Sequence, residues 1–99
     1  MKLDDASACL ESLGNSTRLA IYRALVRAGP PGLPVGKLQS RLDIPGSTLS
    51  HHIAHLVKNG LVAQTREGRV LRCTANYHTM NELITYLSDE CCQDSRGTA

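Results

Sequence analysis

Residues 47–59 read Ser-Thr-Leu-Ser-His-His-Ile-Ala-His-Leu-Val-Lys-Asn, and apolar side chains recur along this run at helical spacing. The pattern predicts an amphipathic helix that ends at Asn59-Gly60 and packs one face inward, formed by Leu49, Ile53, Leu56 and Val57. The polar side chains fall at offsets of 3, 4, 7 and 11 residues from the first, and we expect them to share the opposite face: Thr48, His51, His52, His55 and Asn59.

A shorter helix is predicted just before this one. Val35, Leu38 and Leu42 recur at helical spacing over about two turns, and Asp43-Ile44-Pro45-Gly46 then interrupts the pattern. Two short helices joined by such a break indicate a helix-turn-helix unit.

Two further helices are predicted nearer the start of the chain. The first carries Leu3, Ala6, Leu10 and Leu13, and Gly14 ends it. Asn15 is placed to cap the second, whose inward face is predicted to consist of Leu19, Tyr22, Leu25 and Val26. The run Gly29-Pro30-Pro31-Gly32 cannot continue a helix.

After residue 60 the pattern changes to that of a β-hairpin followed by a last helix. Residues 61–65 and 70–74 are β-prone, and Gly68 permits the positive φ of a tight turn between them. The last helix opens around Tyr77 and carries Met80, Leu83, Ile84 and Leu87 on one face. The predicted fold class is mainly α with a β-hairpin wing, a winged helix-turn-helix of about five helices. We expect one domain over residues 1–92 and a flexible tail over residues 93–99.

The composition limits the classes of function. Of the 99 residues, 41% are hydrophobic and 20% charged, which is typical of a folded globular domain. No run approaches the roughly 18 apolar residues of a membrane span, and acidic residues near Met1 argue against a signal peptide. We therefore expect a soluble, cytoplasmic protein without a membrane partner. The net charge of +2 is too small to indicate nucleic-acid binding by itself.

The placement of the polar residues favours double-stranded DNA as a partner. Hydroxyl side chains and free backbone N–H groups near a helix start can contact phosphates and base edges in a major groove. Arginines of the hairpin can contact phosphates or the adjacent minor groove. The predicted DNA-binding residues are Ser47, Thr48, Ser50, His51, His52, His55, Lys37, Arg66 and Arg69, with Arg72 and Lys58 nearby.

The histidines of this helix also suggest a metal site, which the sequence does not support. The spacing of His51 and His55 matches a zinc peptidase motif, but His52 stands where that motif needs Glu. No nucleophile, phosphate loop or carboxylate pair stands out, so we do not expect an enzyme. There are two alternatives to DNA binding. The helix is simply a solvated surface helix, or it belongs to a module that binds a protein and not DNA.

Several motifs together resemble the ArsR/SmtB family of metal- and metalloid-responsive repressors. They are Leu-Gly-Asn-Ser-Thr-Arg-Leu at 13–19, Ser-Thr-Leu-Ser-His-His-Ile at 47–53, Gly-Leu-Val at 60–62 and Arg-Glu-Gly-Arg at 66–69. The resemblance covers about residues 8 to 92. It implies a homodimer that pairs through the first and last helices, a palindromic operator, and half-sites roughly 34 to 36 Å apart.

The cysteines depart from part of that family and match another part. Pro34-Val35-Gly36 stands where some members carry a Cys-Val-Cys sensor, whereas Cys91-Cys92 resembles the arsenic-responsive branch with cysteines ending the last helix. Adjacent thiolates do not easily form a relaxed disulfide but bind soft, thiophilic centres. Trivalent arsenic is therefore the expected inducer, with no catalytic cofactor.

The number of thiolates distinguishes the arsenic species. Arsenite takes three thiolates, whereas methylarsenite has two positions to fill. Cys91 and Cys92 supply two, Cys73 is the preferred third ligand, and Cys9 from either subunit is the alternative. Cys9 and Cys73 are equally well explained as small buried apolar residues. A redox or persulfide switch at Cys91-Cys92 is the other sensing hypothesis. We expect the acidic neighbours Asp89, Glu90 and Asp94 to raise the thiol pKa values.

Overall fold

The helices and strands follow the predicted order. In a computed structural model, which describes residues 1–96, the elements are α1 (Leu3–Leu13), α2 (Ser16–Ala28), β1 (Leu33–Pro34), α3 (Val35–Leu42), α4 (Gly46–Lys58), β2 (Val62–Glu67), β3 (Val70–Ala75), α5 (Tyr77–Ser88) and α6 (Gln93–Arg96). This order confirms the mainly α, winged helix-turn-helix fold. Among the described residues, no helix is both long and apolar enough to cross a membrane.

Side-chain caps fix the starts of two helices. The side-chain oxygen of Asn15 accepts hydrogen bonds from the backbone N–H groups of Thr17 and Arg18, which confirms the predicted cap of α2. Asn76 caps α5 in the same way, through the N–H of Thr79. These bonds satisfy N–H groups that have no partner inside the helix.

The sheet is antiparallel and has the order β1-β3-β2. Residues 62–67 pair with residues 70–75, and Gly68, at φ +63°, begins the two-residue turn. The short strand β1, which the sequence analysis did not predict, pairs Leu33 with Cys73 and Pro34 with Arg72. Just before β1, Gly32 has φ +65°, and a β-carbon there would collide with the carbonyl oxygen of Cys73. This close approach therefore requires glycine.

The core lies where the helices meet the sheet. Its largest fully buried apolar side chains are Ile21, Leu25, Leu38, Leu49, Ile53, Leu56 and Leu61. Two residues predicted to face inward do not: Leu19 is 43% exposed and Val57 is 37% exposed. In α2 the buried face is Ile21, Tyr22 and Leu25, which lies to one side of the predicted face. Val57 lies about 100° around the helix from the buried Leu56.

Apolar side chains of α1 and α5 remain on the surface of the single chain. Leu3 is 69% exposed, Ile84 is 56% exposed and Leu87 is 60% exposed, while Leu83 is the buried residue of α5. The two helices pack against each other, so these side chains lie on adjacent elements.

The end of the chain was predicted to be a flexible tail over residues 93–99. Residues Gln93–Arg96, at the start of this predicted tail, form the one-turn helix α6. Residues 97–99 lie outside the described part of the chain.

Candidate nucleic-acid interface and thiol pair

The first turns of α4 present polar side chains to solvent. Pro45 precedes the helix in an extended conformation and offers no side-chain cap, so the first backbone N–H groups are free of a side-chain partner. Leu49 and Ile53 anchor the inner face. The exposed residues of this segment, as predicted, are Ser47, Thr48, Ser50 and His51. The arrangement can donate and accept hydrogen bonds at a groove or a phosphate.

The preceding turn sets α3 against α4. Asp43 adopts the left-handed conformation, at φ 51° and ψ 51°, and ends α3 directly before the Ile44-Pro45 step. Lys37 is exposed in the first turn of α3. Its ammonium group therefore lies on the surface of the helix-turn-helix unit, where it was predicted to be.

The hairpin carries two arginines that have no protein partner. Arg66 and Arg69 are exposed, and within residues 1–96 neither guanidinium forms an ion pair or a hydrogen bond. Arg72 differs from them, since its Nε lies 2.6 Å from Oε1 of Glu67 and its Nη1 donates to the carbonyl of Pro31 at 3.0 Å. Arg72 therefore stabilises the hairpin through these two contacts. It does not belong to the cluster of free positive charges, although the sequence predicted that it would.

His55 and Asn59 do not face outward, and the prediction that they do is wrong. The Nδ1 atom of His55 lies 2.9 Å from Oγ of Ser12 in α1. Asn59 donates through Nδ2 to the backbone carbonyl of His55 at 2.9 Å. Both residues are half-buried because α1 packs against this flank of α4. The helical offsets alone cannot show where a neighbouring helix lies.

His52 contacts α2 through Arg18. Nη1 of Arg18 lies 3.4 Å from Nδ1 of His52, and Nε of Arg18 donates to the carbonyl of Ser12 at 2.6 Å. Desolvation, followed by the positive charge of Arg18 and the neighbouring His51 and His55, lowers the pKa of His52. This environment therefore favours the neutral form of the imidazole.

Sequence reasoning missed Ser12 and Arg18. Ala6, Cys9 and Ser12 are the buried residues of α1 and follow one another at intervals of three. That spacing is a signal that a serine lies on a buried face, where its hydroxyl needs a partner.

The cysteines lie in two different environments, and the structure does not join them into one site. Cys73 is fully buried in β3, where its Sγ accepts a hydrogen bond from Nε2 of Gln64 at 3.4 Å. Cys91 and Cys92 are exposed after α5, with their sulfur atoms 3.1 Å apart. Within residues 1–96, no three His, Cys, Asp or Glu side chains are grouped so as to hold a metal ion. In the single chain Cys73 is therefore not grouped with Cys91 and Cys92, and its role as a third ligand stays a prediction.

The pKa values of three thiols are raised, two of them mainly by burial and one mainly by a second thiol. Burial raises the pKa of Cys9, whose Sγ donates to the carbonyl of Asn59 at 3.6 Å. Burial also raises the pKa of Cys73, and the bond from Gln64 partly offsets this. The contact with Cys92 is the main cause that raises the pKa of Cys91. The direction is the one expected, but the cause is the second thiol and not the acidic neighbours.

The exposed start of α4, beside a hairpin with two free arginines, defines a winged helix-turn-helix DNA-binding protein. The helix-turn-helix domain family matches residues 13–65. The transcriptional activator HlyU of Vibrio cholerae is 33% identical over 88 residues, which cover 89% of this chain and 79% of HlyU. The chain belongs to this helix-turn-helix family and is a transcriptional regulator of the HlyU type, not an enzyme.

Solved structures agree with this assignment. An ArsR-like transcriptional regulator from Rhodococcus sp. RHA1 superposes with a TM-score of 0.80 at 22% identity, covering 96% of this chain and 87% of that chain. Reduced HlyU from Vibrio cholerae superposes with a TM-score of 0.65 at 31% identity, covering 87% of this chain and 90% of that chain.

Proposed function

We propose that this protein is a homodimeric repressor that binds a palindromic operator and leaves it when a thiophilic effector binds Cys91 and Cys92. The exposed start of α4 carries the DNA-binding half of the proposal, with Ser47 and Ser50 facing solvent. Hydroxyls and free N–H groups there contact phosphates and base edges, while the arginines of the hairpin contact the flanking backbone.

The exposed apolar surface on α1 and α5 supports the dimer. Leu3, Ile84 and Leu87 are each more than half exposed, which is unfavourable for a single chain in water. A two-fold axis that pairs these helices with their copies buries this surface, at about 25 cal/mol per Å² of apolar area. The same axis repeats α4, so the two helices read half-sites roughly 34 to 36 Å apart.

The thiol pair supports a soft effector. Sulfur atoms 3.1 Å apart can both bond one thiophilic atom at a bond length of about 2.3 Å. Because Cys73 is buried elsewhere, each chain offers two adjacent thiolates. Among trivalent arsenicals this favours methylarsenite, which has two positions to fill, over arsenite, which takes three.

Contacts within the chain provide a route from the thiols to the DNA-binding helix. Cys91 and Cys92 follow α5 directly, and α5 packs against α1. Ser12 of α1 bonds to His55 of α4. An effector that shifts the end of α5 therefore acts on α4 through two packed contacts. A coupling free energy of about 1 to 3 kcal/mol weakens operator binding roughly 5- to 150-fold.

A redox switch at the same thiols is the second candidate. One solved relative, 31% identical to this chain, is reduced HlyU from Vibrio cholerae. Exposed adjacent cysteines are accessible to oxidants and to sulfane sulfur. An effector titration distinguishes this candidate from arsenic sensing.

Footprinting of the DNA upstream of the gene, followed by fluorescence anisotropy on the protected fragment, tests both halves. Methylarsenite added to the reduced dimer is expected to weaken binding at least fivefold, and C91S/C92S is expected to bind DNA without being released. Q93S, next to the thiols, serves as the matched control and behaves as the wild type.

Three outcomes contradict the proposal. A protein that gives no footprint at low ionic strength is not the repressor described here. If peroxide or polysulfide releases the protein from DNA and methylarsenite does not, the thiols act as a redox switch and not as an arsenic sensor. If methylarsenite fully releases the C91S/C92S variant from DNA, the effector binds at other residues.

A further inference from the structure

A hollow of about 520 Å³ lies between the C-terminal turns of α2 and α3. Buried and half-buried apolar side chains form its floor: Ala24, Ala28, Leu33 and Leu42. Two exposed arginines, Arg27 and Arg41, line its mouth. No acidic side chain and no cysteine lines it, so the hollow is separate from the thiol pair.

The two arginines are not fully explained by the helices that carry them. Each lies in the last turn of its helix, where a cation is favoured by the exposed carbonyl groups. The exposed carbonyl groups explain why an arginine is favoured at the end of each helix. They do not explain why two like charges, which repel each other, line the same hollow. Within residues 1–96 neither guanidinium has an ion pair or a hydrogen bond, whereas Arg18 and Arg72 are both bonded.

We propose that this hollow binds a small organic carboxylate with an apolar body. The planar fork of a guanidinium matches the two oxygens of a carboxylate, and two such groups neutralise the anion from both helices. The apolar floor takes the hydrocarbon part. The volume lies within the range of about 300 to 1,000 Å³ that is typical of small-molecule sites.

The position of the hollow gives the ligand a structural effect. α3 is the first helix of the helix-turn-helix unit, and α2 is the helix on which it packs. A carboxylate held by Arg27 and Arg41 links the ends of these two helices. This site is independent of the proposed thiol effector because it uses none of the same residues.

Titration of the full chain with octanoate, followed by backbone amide NMR and thermal unfolding, tests the proposal. Saturable binding is expected, with chemical-shift changes centred on Leu33 and Leu42. The double variant R27Q/R41Q is expected to bind about tenfold more weakly, since it loses two partly exposed charge-assisted contacts. R23Q removes another exposed arginine of α2 that does not line the hollow, and it retains full affinity. Far-ultraviolet circular dichroism checks that each variant is folded.

Two probes test the contributions of the ligand's charge and of its apolar body separately. Octanamide keeps the apolar body without the charge, and inorganic phosphate keeps the charge without the body. Both are expected to bind at least about tenfold more weakly than octanoate. Equal binding of octanamide or of phosphate overturns the proposal, as does unchanged octanoate binding by R27Q/R41Q. C91S/C92S binds octanoate as the wild type does, whatever the outcome of the effector experiments.

Discussion

The Oγ atom of Ser12 lies 2.9 Å from Nδ1 of His55, and this hydrogen bond joins α1 to α4, the helix that we propose contacts DNA. Ser12 is fully buried, and its carbonyl also accepts the Nε–H of Arg18 from α2. One residue of α1 therefore contacts α2 and α4 through polar bonds. Because α1 also carries the exposed Leu3, the same helix connects the proposed dimer surface with the proposed DNA-reading surface.

Replacing Ser12 by alanine is expected to lower the free energy of unfolding by about 1 kcal/mol, because the half-buried Nδ1 of His55 loses its shorter contact, at 2.9 Å, and keeps only Nδ2 of Asn59 at 3.4 Å. Urea denaturation at fixed protein concentration measures the change. S7A, an exposed position on the same helix, is the control and stays within about 0.5 kcal/mol of the wild type. Equal stabilities of S12A and S7A would show that the bond contributes nothing.

The lowered pKa of His52 makes stability depend on pH. The unfolded chain takes up a proton near histidine's ordinary value of 6.5, whereas the folded chain does so only at lower pH. Protonation thus favours the unfolded state, and this part of the stability is complete above pH 6.5 and declines as the pH falls below it.

Urea denaturation between pH 7.5 and pH 5.5 checks this expectation. H52Q should lose less stability over that range than the wild type, because glutamine does not titrate. H78Q, which changes an exposed histidine of α5 that pairs with Glu82, is the control and should differ from H52Q in its pH dependence. Parallel losses in the wild type and H52Q would remove His52 as the cause.

The free arginines of the hairpin are expected to set part of the salt dependence of DNA binding. The slope of log K against log salt concentration should become less steep by roughly 0.9 for each phosphate contact that R66A/R69A removes. R23A, which changes an exposed arginine of α2, should keep the wild-type slope. An unchanged slope in R66A/R69A would mean that the hairpin does not contact phosphates.

The exposed leucine and isoleucine of α5 are expected to hold the dimer together. I84E/L87E places two carboxylates in the proposed interface, and light scattering coupled to size exclusion should show a monomer that has lost operator affinity. N81E adds a carboxylate at an exposed polar position of the same helix and should remain dimeric. A dimeric I84E/L87E protein would require an interface on other elements.

Gly32 and Gly36 are expected to respond oppositely to alanine. At Gly32 the positive φ and the carbonyl of Cys73 leave no room for a β-carbon, so G32A should cost about 2 kcal/mol or more. Gly36 lies in α3 with no atom near the site of a β-carbon, so G36A should be neutral or stabilise by up to about 1 kcal/mol. Thermal unfolding measures both, and comparable effects would contradict the predicted contact at Gly32.

Most of the fold could be predicted because its signals are local. The spacing of Leu49, Ile53 and Leu56 and the positive-φ glycine at position 68 are contained within short segments. Strand β1 could not be predicted, since two residues acquire their conformation from pairing with Cys73 and Arg72, which are distant in sequence. Propensity carries no information about such a contact.

The candidate site was predicted in part. Periodicity identified the exposed Ser47, Thr48, Ser50 and His51, but it placed His55 on the same surface, because a helical pattern does not show which flank another helix covers. The interpretation of Cys73 as a small buried residue agrees with its burial in β3. It could not give the position of that thiol relative to Cys91 and Cys92, which depends on the path of α5.

The pairing of β1 with β3 has a consequence for engineering. Pro34 pairs with Arg72 and is followed at once by α3, so the start of the helix-turn-helix unit and the hairpin form one hydrogen-bonded module. A chimera that exchanges only the hairpin separates β1 from the strand with which it pairs. The smallest segment that should be exchanged between such regulators to transfer DNA specificity therefore runs from residue 32 to residue 75.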